Sequence, residues 1–209
     1  MATLKNEGGG AIVRRMADTI VENRGYLSEI DGKIGDGDHG NNMAKGFGRA
    51  KERISDGDTL SGAMHTLADV LMGEIGGSMG PLYGMLFDDM ASAVEDLDQI
   101  DRAAFGAMLK AGQEGVMAIG EAKRGDKSLL DALIPAVEAF EADTGDFDSA
   151  LAAMKAAAEA GRDATKDMVS QIGRSSRLGE RSRGVLDAGA TSCCMILSVL
   201  ADDARARIG

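Results

Sequence analysis

The sequence has few of the residues that favour β-sheets and rigid turns. It contains two prolines, and aromatic residues make up 3% of its 209 residues. Alanine and methionine are frequent instead, and both favour helices over strands. No segment alternates clearly between polar and apolar residues, so no strand is predicted. We expect an all-α chain, whose 44% hydrophobic residues are enough for one sizeable core or two small ones.

The sequence also lacks an excess of basic residues and long apolar runs. Its net charge of −11 argues against the nucleic-acid backbone as a partner. No apolar run approaches the roughly 20 residues that a membrane span needs. The first ten residues contain no apolar core of the kind found in signal peptides. A soluble cytoplasmic protein that binds neither nucleic acid nor membrane is expected.

Cysteine is scarce, and the two cysteines, Cys193 and Cys194, are adjacent. Neighbouring cysteines rarely form a disulfide, because the geometry is strained. They lie in the apolar run CCMILSVL, which favours buried, reduced thiols within the core. A vicinal metal or redox site is the alternative.

Apolar residues recur at intervals of three and four, which predicts eight amphipathic helices. Asp148 is a suitable N-cap for the seventh helix, and Pro81 suits the first turn of the fourth. No Pro/Ser-rich linker divides the chain, so a single domain over residues 1–209 is expected, with residues 1–8 flexible. The first helix is predicted over residues 10–30, and the other apolar patterns cover residues 43–54, 60–72, 82–94, 105–119, 129–140, 151–172 and 195–200.

Short connections between helices predict antiparallel neighbours, so alternate connections should lie at the same end of the molecule. The even connections (55–58, 95–101 and 142–148) are acidic turns, whereas the odd ones hold most of the loop glycine and nearly all the loop arginine and lysine. One end should therefore combine glycine-rich backbone, aspartates and basic side chains, as a phosphate and metal site requires. The odd connections are residues 31–40, 73–81, 120–128 and 173–189.

Three aspartates, Asp31, Asp36 and Asp38, lie in and next to the stretch IGDGDHGNNMAKGF. Carboxylate oxygens on a flexible turn are typical ligands of Mg²⁺ or Ca²⁺ rather than of zinc. The register excludes an EF-hand loop, because Asn41 and Phe47 stand where that loop needs glycine and glutamate. Mg²⁺ bound with a nucleotide is predicted; an Asx/Gly turn that caps the second helix is the alternative.

His39 follows the aspartates and is predicted either to contact a nucleotide or to act as a solvated capping group. Asn42 could cap the helix or bind a ligand. The other histidine, His65, lies within a helix and is predicted to be structural.

Two further segments could contribute to a phosphate site. Glycines at 76, 77 and 80 precede or begin the fourth helix, where free N–H groups could hold phosphate; a close helix crossing would explain them equally well. The polar segment 173–189 carries four arginines and is predicted to be a lid, with a solvated loop as the alternative. The GDKS turn (125–128) could be a helix cap.

Taken together, these motifs resemble the nucleotide-binding L subunit of dihydroxyacetone kinase (DhaL), in family order and over nearly the whole chain. The related nucleotide domains of fatty acid kinases lack the DHG triplet and are a weaker match. The matching pieces are GDGDHG followed by NM, GG-x-x-GPLYG (76–84), GDKS-x-x-DALIP (125–135), and GRSSRLGERS with D-x-GATS (173–192).

The resemblance implies a closed barrel of eight antiparallel amphipathic helices and two Mg²⁺ ions held by Asp31, Asp36 and Asp38. No residue of this chain would act as a nucleophile. A K-type subunit would hold a small ketose, and ADP or ATP would be bound here, with bound ADP rephosphorylated in one version by a phosphohistidine carrier of the phosphotransferase system. The implied nucleotide contacts are His39, Gly40, Asn41, Asn42, Gly77, Ser78, Met79, Gly120, Leu129, Arg174, Asp187, Ala188 and Gly189.

Three residues depart from the family pattern. Met79 replaces a common serine and removes one hydroxyl donor to phosphate, Arg177 replaces a common aromatic residue, and Ala188 replaces a common proline. Two other functions remain open. One is a non-catalytic, ADP-loaded partner that signals to a regulator, and the other is a structural helical protein. The kinase hypothesis requires Asp36 and Arg174 to lie at the same end of the molecule.

Overall fold

The computed structural model describes residues 2–209, and within them it contains nine α-helices and two short strands. The expectation of an all-α chain is confirmed. The strands are β1 (Thr3–Lys5) and β2 (Gln99–Asp101), and the helices are α1 (Gly10–Glu22), α2 (Arg24–Ile34), α3 (His39–Lys51), α4 (Leu60–Glu74), α5 (Met79–Ser92), α6 (Arg102–Ile119), α7 (Leu130–Ala142), α8 (Phe147–Ala164) and α9 (Ala188–Arg207).

The single first helix predicted over residues 10–30 is wrong, because the chain breaks at Asn23. The side chain of Asn23 donates to the carbonyl of Thr19 at 2.8 Å, which is the local bonding by which asparagine competes with helix continuation. α2 then runs on to Ile34 and carries Asp31 in its last turns. If α1 and α2 are taken as one bent element, the helix count is eight; closure of the eight into a barrel stays a prediction.

The two strands were not predicted from the sequence. β1 pairs antiparallel with β2, so that Leu4 lies opposite Ile100. Both side chains are buried, and three residues are too few for an alternating pattern to be recognised. Next to β1, the buried Asn6 donates to the carbonyls of Val94 and Leu97. Residues 3–6 therefore have defined contacts, although flexibility is predicted for residues 1–8; Met1 lies outside the described residues.

The predicted seventh helix ends early and starts at a different cap. α8 begins after Asp146, whose carboxylate accepts the N–H of Ser149 at 2.9 Å, so Asp148 is not the cap. The helix ends at Ala164 and continues as a 3-10 turn, Thr165–Asp167. Met168, Val169 and Ile172 kept the apolar spacing, but they are only partly buried and lie outside any helix. Pro81, by contrast, lies in the first turn of α5 as predicted.

Consecutive helices pack against each other, and α9 packs against both α8 and α1, so the last helix returns to the first. One buried cluster receives side chains from all nine helices. Phe105, Phe140 and Phe147 form an aromatic group within it, with ring centroids 5.3 to 6.1 Å apart. Cys193 and Cys194 are buried free thiols, as expected. No helix within residues 2–209 has both the length and the apolar character needed to cross a membrane.

Candidate functional site

A cavity of about 230 Å³ lies where three of the four odd connections meet. The shared location of these three connections is what the up-and-down helix order predicted. The fourth, residues 120–128, does not line the cavity. The lining residues are Asp31, Ile34, Gly35, Asp36, Asp38, His39, Asn42, Gly77, Ser78, Met79, Gly173, Arg174, Ser175, Asp187 and Ala188.

The three aspartates converge at this cavity. One carboxylate oxygen of each of Asp31, Asp36 and Asp38 lies within 4.8 Å of those of the other two. Gly37, with a φ of +77°, provides the left-handed turn that brings Asp36 and Asp38 back towards the end of α2. Asp38 occupies the N-cap position of α3 but makes no side-chain capping bond. A capping role therefore does not explain this residue.

The donor set fits a hard divalent cation. Three carboxylates supply oxygen ligands, and Asp36 and Asp38 are exposed and open to the cavity. Among the described residues, Arg174 forms an ion pair with Asp36, so Asp36 and Arg174 lie at the same end of the molecule. Both side chains of this pair remain substantially exposed, and exposed ion pairs contribute little to stability.

His39 is buried beside the aspartates and held by a hydrogen-bond chain. Its Nε2 lies 2.9 Å from the hydroxyl of Ser192, which lies 2.7 Å from the hydroxyl of Tyr83. Tyr83 in turn donates to the carbonyl of Gly189 at 3.1 Å. Burial lowers the pKa of His39 to about 4, although the charge of Asp31 opposes the shift. The imidazole is therefore neutral at pH 7 and fixed in orientation.

Asp187 is the N-cap of α9, and its carboxylate accepts the N–H of Ala190 at 2.7 Å. Part of Asp187 is solvent-accessible through the cavity, while protein surrounds the rest of the carboxyl. This burial raises the pKa of Asp187 to about 7, although the Ala190 N–H and Lys127 oppose the shift. A carboxyl that is partly protonated near neutral pH therefore borders the cavity.

The glycines of the turn before α5 have two different roles. Gly77 has a φ of +78° and faces open space, so its backbone is accessible to a ligand. Ser78 stands at the N-cap of α5 without making a capping bond, which leaves the N–H groups of this helix start free of a side-chain partner. Gly80 instead packs against the carbonyls of Leu71 and Ile75, where a side chain would clash. Both sequence interpretations of this turn therefore apply, each to different glycines.

The family is shown by comparison with known proteins. The model of the DAK2 domain matches residues 33–202. This chain belongs to the DAK2 domain family. It is 32% identical to the ADP-binding subunit DhaL of PEP-dependent dihydroxyacetone kinase 2 of Listeria innocua, and the match covers 94% of each chain. It is 37% identical to the ADP-binding subunit DhaL of the PTS-dependent dihydroxyacetone kinase of Lactococcus lactis, over 88% of this chain and 90% of that one.

The fold of this DAK2 domain also matches a solved structure. The dihydroxyacetone kinase of C. freundii, in its native form, superposes with a TM-score of 0.71 at 25% identity. The match covers 93% of this chain but 34% of that one, so the kinase contains much additional chain. A second structure of that kinase, in complex with AMP-PNP and Mg²⁺, superposes with a TM-score of 0.67.

Several residues implied as nucleotide contacts do not line the cavity of this DAK2 domain. Gly40 packs its backbone against the carbonyl of Arg24, and Asn41 is exposed and accepts a hydrogen bond from the Arg24 guanidinium at 2.6 Å. Leu129 is buried and packs against Gly189, and neither residue lines the cavity. Gly120 follows the last residue of α6 and lies beside Leu82. The roles of these residues towards a nucleotide stay predictions.

Further residues, which the sequence did not predict, lie at the cavity of this DAK2 domain or support its lining. Gly173 and Ser175 line it beside Arg174, and neither has a side chain that would have marked it. Tyr83 and Ser192, which hold His39, occur in the matched motifs GPLYG and GATS. Their partnership across 109 residues is visible only in the fold. Of the four arginines in the segment, Arg174 alone lines the cavity.

A larger groove of about 820 Å³ lies at two of the three even connections, residues 95–101 and 142–148, next to the starts of α6 and α8. Phe140, Phe147 and Gly106 are among its apolar lining residues, and Arg102 and Lys110 are its basic ones. Its volume is greater, but it lacks the convergent carboxylates of the smaller cavity. The chemistry of this DAK2 domain therefore points to the smaller site.

Proposed function

We propose that this chain is the nucleotide- and Mg²⁺-binding phosphotransfer subunit of a two-component dihydroxyacetone-type kinase. It would pass the γ-phosphate to a small ketose, dihydroxyacetone or a similar sugar, held on a separate K-type subunit. The observation that carries the proposal is the convergence of Asp31, Asp36 and Asp38 with Arg174 on one cavity.

Asp31, Asp36 and Asp38 would hold the magnesium, as two ions if the family pattern applies. When bound, Mg²⁺ neutralises phosphate charge and orients the phosphates for in-line transfer. Asp38 is free to act as a ligand because it caps no helix. Asp31 accepts the N–H of His39 at 3.3 Å, which fixes the start of α3 relative to α2.

The remaining cavity residues would bind the nucleotide. The N–H groups at the start of α5 and the exposed backbone of Gly77 could hold phosphate oxygens, and these backbone donors do not depend on the serine hydroxyl that Met79 lacks. Arg174 would exchange its contact with Asp36 for a contact with a phosphate. Little stability would be lost, because the ion pair is exposed to solvent. A neutral His39, fixed by Ser192, would not add positive charge to the site.

The phosphate donor is proposed from the relatives. Two relatives are named as ADP-binding subunits of PEP-dependent or PTS-dependent kinases. We therefore propose that ADP stays bound to this chain and is rephosphorylated in place by a phosphohistidine carrier. Native mass spectrometry of the purified protein tests this: retained ADP supports it, and an empty site that binds ATP reversibly favours the ATP-exchanging version.

Calorimetric titration with Mg·ADP, on protein from which any retained ADP has been removed, tests the site itself. Asp36→Asn removes one ligand charge and should weaken binding by roughly 100-fold, within the range seen when a metal site is damaged. Asp69→Asn, on an exposed position of α4, removes the same charge away from the cavity and should bind like the wild type. Equal affinities in the two variants would contradict the proposal.

Phosphotransfer is tested by mixing the chain with a K-type subunit, a ketose and the phosphate source. Turnover that Asp36→Asn abolishes and Asp69→Asn preserves is the expected result. Tight nucleotide binding without turnover in every combination would instead identify a nucleotide-loaded regulatory partner.

A further inference from the structure

Lys127, in the GDKS turn before α7, is buried in an unusual way. Within the described residues it is the non-glycine residue with a left-handed backbone, at a φ of +66°. Its side chain is also almost inaccessible, with 2% of its surface exposed. A left-handed backbone is unfavourable for a residue with a Cβ, and burying an ammonium is more unfavourable still. Both costs must be offset by contacts.

The contacts are three hydrogen bonds to backbone carbonyls. The Nζ of Lys127 donates to the carbonyls of Met168 at 3.2 Å, Ser182 at 2.5 Å and Val185 at 2.8 Å. An ammonium has three protons, so its donor capacity is fully used. Burial lowers the pKa of Lys127, although Asp187 opposes the shift, in keeping with a group held by carbonyls inside the protein.

All three carbonyls belong to the connection between α8 and α9, in residues 168–187, which we call the arginine segment. Met168 begins it and Ser182 and Val185 lie near its end, so Lys127 joins its two ends. Backbone N–H groups also connect the same region. Ser170 N–H donates to the Ser182 hydroxyl at 2.9 Å, and Gln171 N–H donates to the carbonyl of Asp126 at 3.0 Å. Near the other end of the segment, Gly184 N–H donates to the carbonyl of Lys166 at 2.7 Å, and Asp187 N–H donates to the hydroxyl of Thr165 at 3.0 Å.

Little apolar packing holds the arginine segment otherwise. Its middle is the 3-10 helix Ser175–Ser182, which is interrupted at Gly179 and has mostly exposed or half-buried side chains. Yet Arg174 and Ser175 line the nucleotide cavity from one arm of the segment, and Asp187 lines it from the other. The position of these cavity residues therefore depends on the polar bonds at the base of the segment.

We infer that Lys127 is a positioning residue that fixes the arginine segment over the cavity and thereby slows the escape of bound nucleotide. The first half of this inference, fixing the segment, stands on the hydrogen bonds alone. The second half rests on the proposed function, because it needs a nucleotide in the cavity.

Hydrogen exchange of the nucleotide-free protein tests the first half. Lys127→Met keeps the length of the side chain and removes its donors. Exchange in the arginine segment should become roughly tenfold faster, while α7 stays protected. Lys123→Met is the matched control, because Lys123 is exposed in the same connection and should leave exchange unchanged. Equal exchange in the two variants would overturn the inference.

Comparing Lys127→Gly with Lys127→Met separates the loss of the ammonium from the backbone strain. Glycine accepts a φ of +66° without cost, so this variant relaxes the turn and removes the three donors at once. It should loosen the arginine segment as Lys127→Met does, and it serves as the test if the methionine variant fails to fold. Wild-type protection in Lys127→Gly would show that the ammonium does not hold the segment.

Stopped-flow release of a fluorescent ADP analogue, with Mg²⁺ present, tests the second half. Release should be roughly tenfold faster from Lys127→Met than from Lys123→Met. Equal release despite a loosened segment would overturn the functional half. If the wild type binds no Mg·nucleotide, the proposed function fails, and the exchange experiment still decides whether Lys127 fixes the segment.

Discussion

The two ends of the molecule use the residues before their helices in opposite ways. Around the even connections, Thr59, Asp101 and Asp146 each cap the helix that follows, accepting N–H groups at 2.8 to 3.0 Å. At the cavity end, Asp38 and Ser78 occupy the same position before α3 and α5 and cap nothing. Side chains that cap contribute to folding, whereas side chains left free at a helix start are available to a ligand.

Asp187 combines the two uses. It caps α9 and also lines the cavity. Burial of its carboxyl raises the pKa of Asp187 to about 7. The two ends therefore differ in whether the side chain before a helix bonds to the N–H groups of that helix. Substitutions at matched positions can test this difference.

The largest expected effect is the change of folding stability with pH that comes from the two histidines. His39 lies at the cavity end, and His65 lies on α4. Burial holds the pKa of His39 at about 4, below its ordinary value of 6.5. The unfolded chain therefore takes up this proton first as the pH falls. Stability from a neutral His39 is complete above pH 6.5 and is lost between pH 6.5 and 4, by at most about 3 kcal/mol.

Urea denaturation of the wild type and of His39→Gln at pH 7 and pH 4.5 measures this effect. The wild type should lose more stability between the two pH values than the variant, whose residue 39 does not titrate. His65 is the control of opposite sign: burial disfavours its charge, but hydrogen bonds to Asp88 and Glu95 outweigh this and raise its pKa. Stability from a charged His65 is complete below pH 6.5 and is lost as the pH rises through its folded pKa, so His65→Gln should steepen the acid loss.

A smaller effect is expected from the arginines over the cavity. Arg174 lines the cavity and contacts Asp36, whereas Arg177 is exposed and does not line it. Arg174→Met should weaken Mg·ADP binding by roughly tenfold, because the variant could not make the proposed charge-assisted contact to phosphate. Calorimetry on Arg177→Met, which removes the same charge three residues away, should give the wild-type affinity. A similar loss in both variants would indicate general attraction by the basic segment rather than a specific contact.

The smallest effect comes from a matched pair of aspartates. Asp146→Ala removes a capping bond and should lower the free energy of unfolding by about 1 kcal/mol without changing nucleotide binding. Asp38 occupies the equivalent position before α3. Asp38→Ala should lower the free energy of unfolding by less than about 0.5 kcal/mol, because no capping bond is lost. The same variant should weaken Mg·ADP binding. Thermal unfolding and calorimetry on both variants give the four values. Equal losses of stability would remove the distinction between the two ends.

The sequence allowed the helical class and the shared location of three connections to be predicted, because both follow from apolar spacing and helix order. It did not predict the break at Asn23, since Ile20 and Leu27 continue the apolar spacing across it. Likewise, Met168 and Ile172 keep a helical spacing in a stretch that lies outside any helix and is held by polar bonds.

The candidate site was predictable to the extent that its residues cluster along the chain. Asp31, Asp36, Asp38 and His39 lie within nine positions, and the structure brings them to one cavity. The supports of the site are long-range. Ser192 on α9 holds His39, and Lys127 bonds to carbonyls that lie 41 to 58 residues further along the chain. Such partners follow from the fold and leave no local pattern.

Gly40 has a consequence for the spacing of the three aspartates. A side chain there would meet the carbonyl of Arg24 and the backbone of Ser28, so α3 can lie against α2 only because position 40 carries a hydrogen. This contact sits behind the turn and touches none of its carboxylates. A single methyl group added at Gly40 would push the two helices apart, so the spacing of the carboxylates at the proposed metal site would change although every ligand atom is kept.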